Sequence, residues 1–343
     1  MDNAIYDIWL SCVKGLGLKG QLSMLRDYGC SRNIYESGPK EYHRDLTGPK
    51  RIFDECVRNG IRIMALGQAG YPKRLAEIDD PPILLYCKGK VEINIEDIVA
   101  VVGARKATPY GKWAAARLGE RLALHGVAVA SGMAYGIDSS AHRGALSSGG
   151  KTIAVLGCGI DICYPQSNRL MMEEIMETGA VVSEFTPGTP PHAYNFPRRN
   201  RIIIGMSKCL AVVEACVESG SLITAEYALE QGKDVYAVPG NICSPQSLGT
   251  NMLIKDGAIP LVRIDDILTA VNVTEKIQPA MPVFKLGRDE QAVLEALSYA
   301  AGSTADQLSV KLGKPVREIR AIVSILEIKG VVESCQGKIF IAK

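Results

Sequence analysis

The densest set of chemistry-bearing residues is Phe196-Pro197-Arg198-Arg199-Asn200-Arg201, three arginines in four positions beside an aromatic ring. Guanidinium groups hold phosphate in a bidentate fork, and an aromatic ring stacks on a nucleobase. This spacing suits a ligand that carries both phosphates and bases. The same run also fits a solvated helix start whose arginines pair with nearby carboxylates. Two features favour the first reading. The run leads straight into Ile202-Ile203-Ile204-Gly205, so it opens a buried helix, and Arg105 stands at the end of a predicted strand.

Glycine-rich segments form a second set. They are Gly103-Ala104-Arg105, Ser131-Gly132-Met133-Ala134-Tyr135-Gly136, Gly157-Cys158-Gly159, Ser219-Gly220-Ser221, Pro239-Gly240-Asn241 and Leu248-Gly249-Thr250-Asn251. Glycine lets a backbone approach a ligand closely, and the N–H groups that open a following helix favour an anion. Several such loops side by side make a groove for a phosphate chain rather than one small pocket. A dinucleotide fingerprint is incomplete, because Gly157 and Gly159 are followed by Ile162 where a third glycine belongs, and a P-loop is absent.

Catalytic constellations are sparse. Asp138 and His142 are four residues apart on a predicted helix, with Ser131 or Ser139 conceivable as a nucleophile. Asp138 reads more simply as a helix cap and His142 as a structural residue. The ten cysteines form no Cys-x-x-Cys pair and there are only four histidines, which argues against zinc. Reduced thiols suit a cytoplasmic protein. No metal or organic cofactor is indicated.

The elements that must position these residues alternate. Apolar runs at 98–102, 127–130, 152–156, 180–183, 210–213 and 235–238 read as buried strands. Helices are expected at 110–125, 137–146, 168–177 and 223–231, which gives a parallel sheet covered on both faces. Ligands of such sheets bind beyond the carboxyl ends of the strands, where the glycine-rich loops fall. Residues 1 to about 65 read as short helices, with Lys14-Gly15-Leu16-Gly17-Leu18-Lys19-Gly20 as a helix-hairpin-helix-like turn or a plain glycine-rich connection. Residues 71–86 read as a proline-punctuated bridge. Residues 271–286 read as a linker. Three helices and a hairpin after it, with Pro315 to Ile328 as the third helix, describe a winged helix.

Bulk properties set limits. The chain has 343 residues, 39 Lys+Arg against 37 Asp+Glu, and a formal net charge of +2, so binding to an anionic polymer requires local concentration of the basic residues. The acidic start, Met1-Asp2-Asn3, does not resemble a signal peptide, and no apolar run is long enough for a membrane span.

The order of motifs carries a resemblance. Val102-Gly103-Ala104-Arg105, Ser131 to Asp138, Ala141-His142-Arg143-Gly144-Ala145-Leu146, Asn195 to Ile203, Val213-Glu214-Ala215, Ser219 to Ala225 and Gly249-Thr250-Asn251 resemble the signature of the DNA-processing protein family DprA, also called Smf. The dense part covers residues 95–262. The resemblance implies an α/β architecture, with an extended Rossmann-like parallel sheet (71–270). It implies a small helical, SAM-like domain (1–70) before the sheet and a winged helix (287–343) after it. It further implies a homodimer that binds single-stranded DNA, protects incoming strands and loads RecA in natural transformation or recombination, without catalysis. By motif position Arg105, Ser131, Gly132, Phe196, Arg198, Asn200 and Arg201 are implied to line the DNA groove. Arg199 joins them through the basic cluster, and Gly220 and Ser221 through the glycine-rich loops. Where some members carry a basic residue soon after Tyr164-Pro165, this chain has Gln166, with Arg169 the nearest cation.

Two other functions remain open on sequence. A Log-type nucleotide phosphoribohydrolase shares glycine-rich strand ends, but its Pro-Gly-Gly-x-Gly-Thr-x-x-Glu pattern is not met at Pro239-Gly240-Asn241. A duplex-DNA regulator would read through the winged helix, whose third helix mixes Arg317 and Arg320 with Glu318 and Glu327.

Overall fold

The computed structural model describes residues 3–271, 287–297, 302–329, 331–335 and 337–341. They form two compact units, residues 1–275 and 276–343. The expected linker falls almost wholly at 272–286, outside the described residues.

The first unit opens with four helices, α1 (Asn3–Cys12), α2 (Leu18–Tyr28), α3 (Ser31–Ser37) and α4 (Thr47–Arg58). The Lys14–Gly20 segment turns from α1 into α2, with Gly15 at φ 79°. Then come β1 (Arg62–Ala65), the short α5 (Lys73–Ala76) and β2 (Leu84–Lys88). The alternating region follows as β3 (Ile98–Val102), α6 (Pro109–Leu124), β4 (Ala128–Ser131), α7 (Ile137–Ser147), β5 (Thr152–Leu156), α8 (Arg169–Thr178), β6 (Ala180–Ser183), α9 (Asn195–Met206), β7 (Cys209–Val212), α10 (Gly220–Glu230), β8 (Val235–Ala237), α11 (Pro245–Lys255) and β9 (Ile259–Pro260). A 3₁₀ turn, Ile264–Val271, closes the unit.

All nine strands share one sheet in the order β1-β2-β6-β5-β4-β3-β7-β8-β9. From β6 to β9 every pairing is parallel, while β1 and β2 add on antiparallel at one edge. Side chains alternate across a strand. Ile98, Ala100 and Val102 therefore meet Ile202 and Ile203 of α9, while Val99 and Val101 meet Leu118 of α6 and Ala141 of α7. Both faces are covered, as a run of five buried apolar residues in β3 requires. The strand order reverses between β3 and β7, and ligands of open α/β sheets bind beyond the strand ends at such a reversal.

The expected boundary near residue 70 does not separate the helices from the sheet. β1 is a strand of that sheet, and β2 begins within the segment expected to be a bridge and runs two residues past it. Ile8, Trp9 and Leu10 of α1 share a core with Leu84, Leu156 and Met171. β1 is a four-residue edge strand with too little periodicity to read, and β2, one place further in, follows Pro81-Pro82 and so reads as part of the bridge.

The second unit contains α12 (Arg288–Ala296), α13 (Ala305–Leu312), α14 (Val316–Ile328) and the hairpin β10 (Val332–Cys335) and β11 (Lys338–Ile341). Val293, Leu308, Ile319, Val323 and Ile339 form its own core. Thr304 and Gln307 make a reciprocal cap at the start of α13, and Gly313 ends that helix in the left-handed region. This is the three-helix and hairpin pattern of a winged helix.

Candidate nucleic-acid interface

Arg105 lies three residues beyond β3, at the reversal of strand order. The loop that carries it is pinned from the neighbouring strand end. Buried Glu214 accepts hydrogen bonds from the Thr108 amide (2.9 Å) and hydroxyl (2.5 Å), while its own carbonyl accepts from the Ala104 amide (2.7 Å). Arg105 is exposed, and its guanidinium carbon sits 5.3 Å from the centroid of the Phe196 ring. Phe196 is the second residue of α9. That helix crosses beneath β5, β4 and β3 on its way from β6 to β7, which delivers its first turn to the strand ends. The ring rests on Gly157, where a Cβ would stand 2.8 Å from a ring carbon. The Tyr164 ring lies 5.4 Å away, centroid to centroid. Nothing in the sequence marks Tyr164 as a ring partner of Phe196 beyond its place in the loop after β5.

The arginines of the cluster divide by burial. Arg198 keeps 49% of its side chain exposed and donates to Glu184 (2.9 Å). Arg201 is buried and pairs with the same carboxylate (2.5 Å) and with Asp80 (3.2 Å). Arg199 is buried too, donating from Nη1 to the carbonyls of Gly132 (2.9 Å) and Val155 and from Nε to Asn200 Oδ1 (3.1 Å). Burial lowers its pKa to about 10, with the Asp138 charge opposing and the Arg105 charge reinforcing that shift. It stays protonated at neutral pH. Burial in turn raises the Asp138 carboxyl, against the pull of Arg199. Asp138 accepts from the Gly132 amide (3.1 Å) and, more weakly, from Ala134 (3.4 Å). The loop after β4 is thus held at its carbonyl by Arg199 and at its amide by Asp138.

Five residues of the expected groove lining, Ser131, Gly132, Arg199, Arg201 and Ser221, therefore face inward. Ser131 is fully buried and donates to the Val101 carbonyl (2.6 Å), and Gly132 and Arg199 are clamped together. Arg201 is enclosed by carboxylates, and Ser221 is buried at the start of α10, where its amide donates to Ser219 Oγ (3.3 Å). Asn200 donates to Thr224 (2.8 Å) and ties α9 to α10. Gly220 is exposed at the α10 N-terminus. Arg105, Phe196, Arg198 and Gly220 face the solvent side, and the others shape the rim behind them. Arg169, the cation nearest Gln166, pairs with Glu173 (3.1 Å).

No acid–base relay links Asp138 to His142. His142 Nδ1 faces Thr152 Oγ1 (2.6 Å), and burial lowers its pKa to about 3, so the ring is neutral. Ser139 donates to the Gly136 carbonyl (3.1 Å). What remains at the rim is a cation over an aromatic ring, flanked by the N-termini of α7, α9 and α10, each a partial positive charge. That set binds anions and stacks on flat rings.

Comparison with known proteins agrees with this arrangement. The family profile described as DNA recombination-mediator protein A matches residues 62–272, and the profile of the DprA winged helix domain matches 278–338. The chain belongs to the DprA family. A relative of this DprA-family chain is Protein Smf of Escherichia coli K12, 38% identical over 275 residues that span 78% of this chain and 74% of that protein. The solved structure of DprA from Streptococcus pneumoniae superposes with a TM-score of 0.66 at 35% identity, covering 78% of this chain and 98% of that one. DNA processing protein A from Helicobacter pylori, described for its single-stranded-DNA binding mode, superposes with a TM-score of 0.56 at 30% identity, covering 62% and 96%. The Rossmann-like sheet and the winged helix are thus those of a DNA-processing family. No described helix is long and apolar enough to cross a membrane.

Proposed function

We propose that this DprA-family chain binds single-stranded DNA along the strand-end rim, protects it, and hands it to RecA in transformation or recombination, acting in the cytoplasm without chemistry of its own. The observation that carries the reading is Arg105, exposed at the strand-order reversal and held 5.3 Å over Phe196. One position there meets a phosphate and a base at once. The Helicobacter relative's single-strand binding supports it. A homodimer through the first unit is supported by Ile242, Leu248, Met252, Ile259 and Val262, all exposed on or beside α11 and β9.

The test is fluorescence anisotropy with labelled single-stranded and duplex oligonucleotides across a salt series. Wild type binds the single strand in preference, with affinity falling steeply as salt rises. Arg105→Ala weakens it roughly tenfold and reduces the salt slope by about 0.7, the share of one phosphate. Equal or better duplex binding that ignores Arg105 would move the function to the winged helix.

A further inference from the structure

Among the described residues, the exposed aromatic side chains are Tyr110, Trp113, Tyr135, Tyr164 and Tyr194, and all five fall in the segments that follow the carboxyl ends of β3 to β6. Tyr110 and Trp113 occupy the first turns of α6, after β3. Tyr135 sits in the turn between β4 and α7, Tyr164 between β5 and α8, and Tyr194 just before α9, after β6. The strands β3, β4, β5 and β6 are consecutive neighbours, about 4.8 Å apart, so their carboxyl ends span roughly 15 Å, and each of these ends is followed by a segment that carries one or two of the rings. Tyrosines elsewhere are treated differently. Tyr6, Tyr71, Tyr86 and Tyr236 are buried.

Exposure of this many rings at the end of the sheet that carries Arg105 is not explained by packing. Tyr194 is 72% exposed, yet it is held flat against His192, with ring centroids 5.2 Å apart and planes 8° apart. Tyr164 touches the Phe196 ring under Arg105. Rings fixed in this way lose little freedom when a flat ligand stacks on them. Every base has a π-face, so such stacking is indifferent to sequence, but it needs bases that are free of a duplex.

We propose that Trp113, Tyr135, Tyr164 and Tyr194 form a base-stacking row across the ends of β3 to β6, so that the ligand is a stretch of several unpaired nucleotides rather than one. The inference rests on the single-strand reading above and adds the residues that select unpaired bases. Phosphates are met by Arg105 and the helix N-termini, and bases by the row.

The experiment compares full-length wild type, Tyr135→Ala, Tyr164→Ala, Tyr194→Ala and Arg105→Ala on a mixed-sequence oligonucleotide and on an abasic strand of equal length. Each tyrosine variant should weaken binding to the normal strand by about fivefold or more, leave the salt slope unchanged, and bind the abasic strand as wild type does. The matching Tyr→Phe variants should retain affinity. Trp9, the second tryptophan, is buried with its indole donating to the His43 carbonyl, so a change in emission reports Trp113. The normal strand should quench that emission and the abasic strand should not. Tyrosine variants that bind like wild type while Arg105→Ala is weakened would overturn the row alone, as for a row that serves a protein partner. Equal losses on both strands would also overturn it. Absence of single-strand binding by wild type, or indifference to Arg105, would remove the function proposed above and this row with it.

Discussion

The Arg105 charge helps to lower the pKa of Arg199, yet of the two only Arg105 is offered to solvent. That separates their predicted effects. Arg199→Met leaves the carbonyls of Gly132 and Val155 without their donor and Asp138 without its opposing cation. Breaking one partner of a buried charged set costs about 3–5 kcal/mol. Urea unfolding should show that loss for Arg199→Met, with single-strand affinity falling as the β4 loop loosens. Arg105→Ala should leave the unfolding midpoint within about 0.5 kcal/mol of wild type and lower affinity alone. An Arg199→Met protein as stable as wild type would deny the clamp. The sequence shows three cations and a ring at phosphate-binding spacing, but not which arginine reaches water. Arg198 and Arg201 are three apart and share Glu184, while Arg199 points to another side of the helix and finds two carbonyls. Those partners come from β5 and from loops distant in sequence, and no local pattern names them.

At the scale of elements, the parallel strands and their helices were legible because each signal is strong by itself. β3 and β5 are runs of five buried residues, and their observed bounds match the expected ones. The edge strands β1 and β9 were not, since a strand of two to four residues at a sheet margin has too few positions to set a period, and β2, between β1 and β6, is obscured by the prolines that precede it. The contact between α6 and α7 depends on a feature that sequence patterning does not reveal either. A Cβ on Gly144 would stand 1.9 Å from the Ala116 carbonyl oxygen, a backbone atom that cannot swing aside. α7 begins directly after the loop bearing Gly132 and carries Asp138 in its first turn, so any shift of the helix moves the rim. Gly144→Ala should therefore lower the thermal midpoint through overpacking of about 1–3 kcal/mol, and weaken single-strand binding in parallel. Ser147→Ala, at the end of the same helix, removes only a bond to the Gly144 carbonyl and serves as the control. Unchanged melting of Gly144→Ala would mean that the two helices have room to part.

For the whole molecule, the question is how binding divides between its two units. The first unit holds the sheet, the rim and the exposed apolar side chains around α11. The second is a winged helix whose third helix exposes Arg317 and Arg320 beside Glu318 and Glu327. Mixed charges on that helix give duplex phosphates little net attraction. Each unit has its own core, so residues 1–275 should fold when the rest is removed. The shortened chain is expected to keep single-strand affinity within about threefold of the full chain, a difference of roughly 0.7 kcal/mol, and to run as a dimer in light scattering. Charge placed on the apolar surface, as in Met252→Glu with Val262→Glu, should then give monomers whose rim is intact but which hold one binding site each, and which lose more apparent affinity for long strands than for short ones relative to the dimer. Near-complete loss of binding on removal of residues 276–343 would instead place the main DNA contact in the winged helix. The rim would then serve as an accessory to it, and Arg105→Ala in the full chain would have little effect.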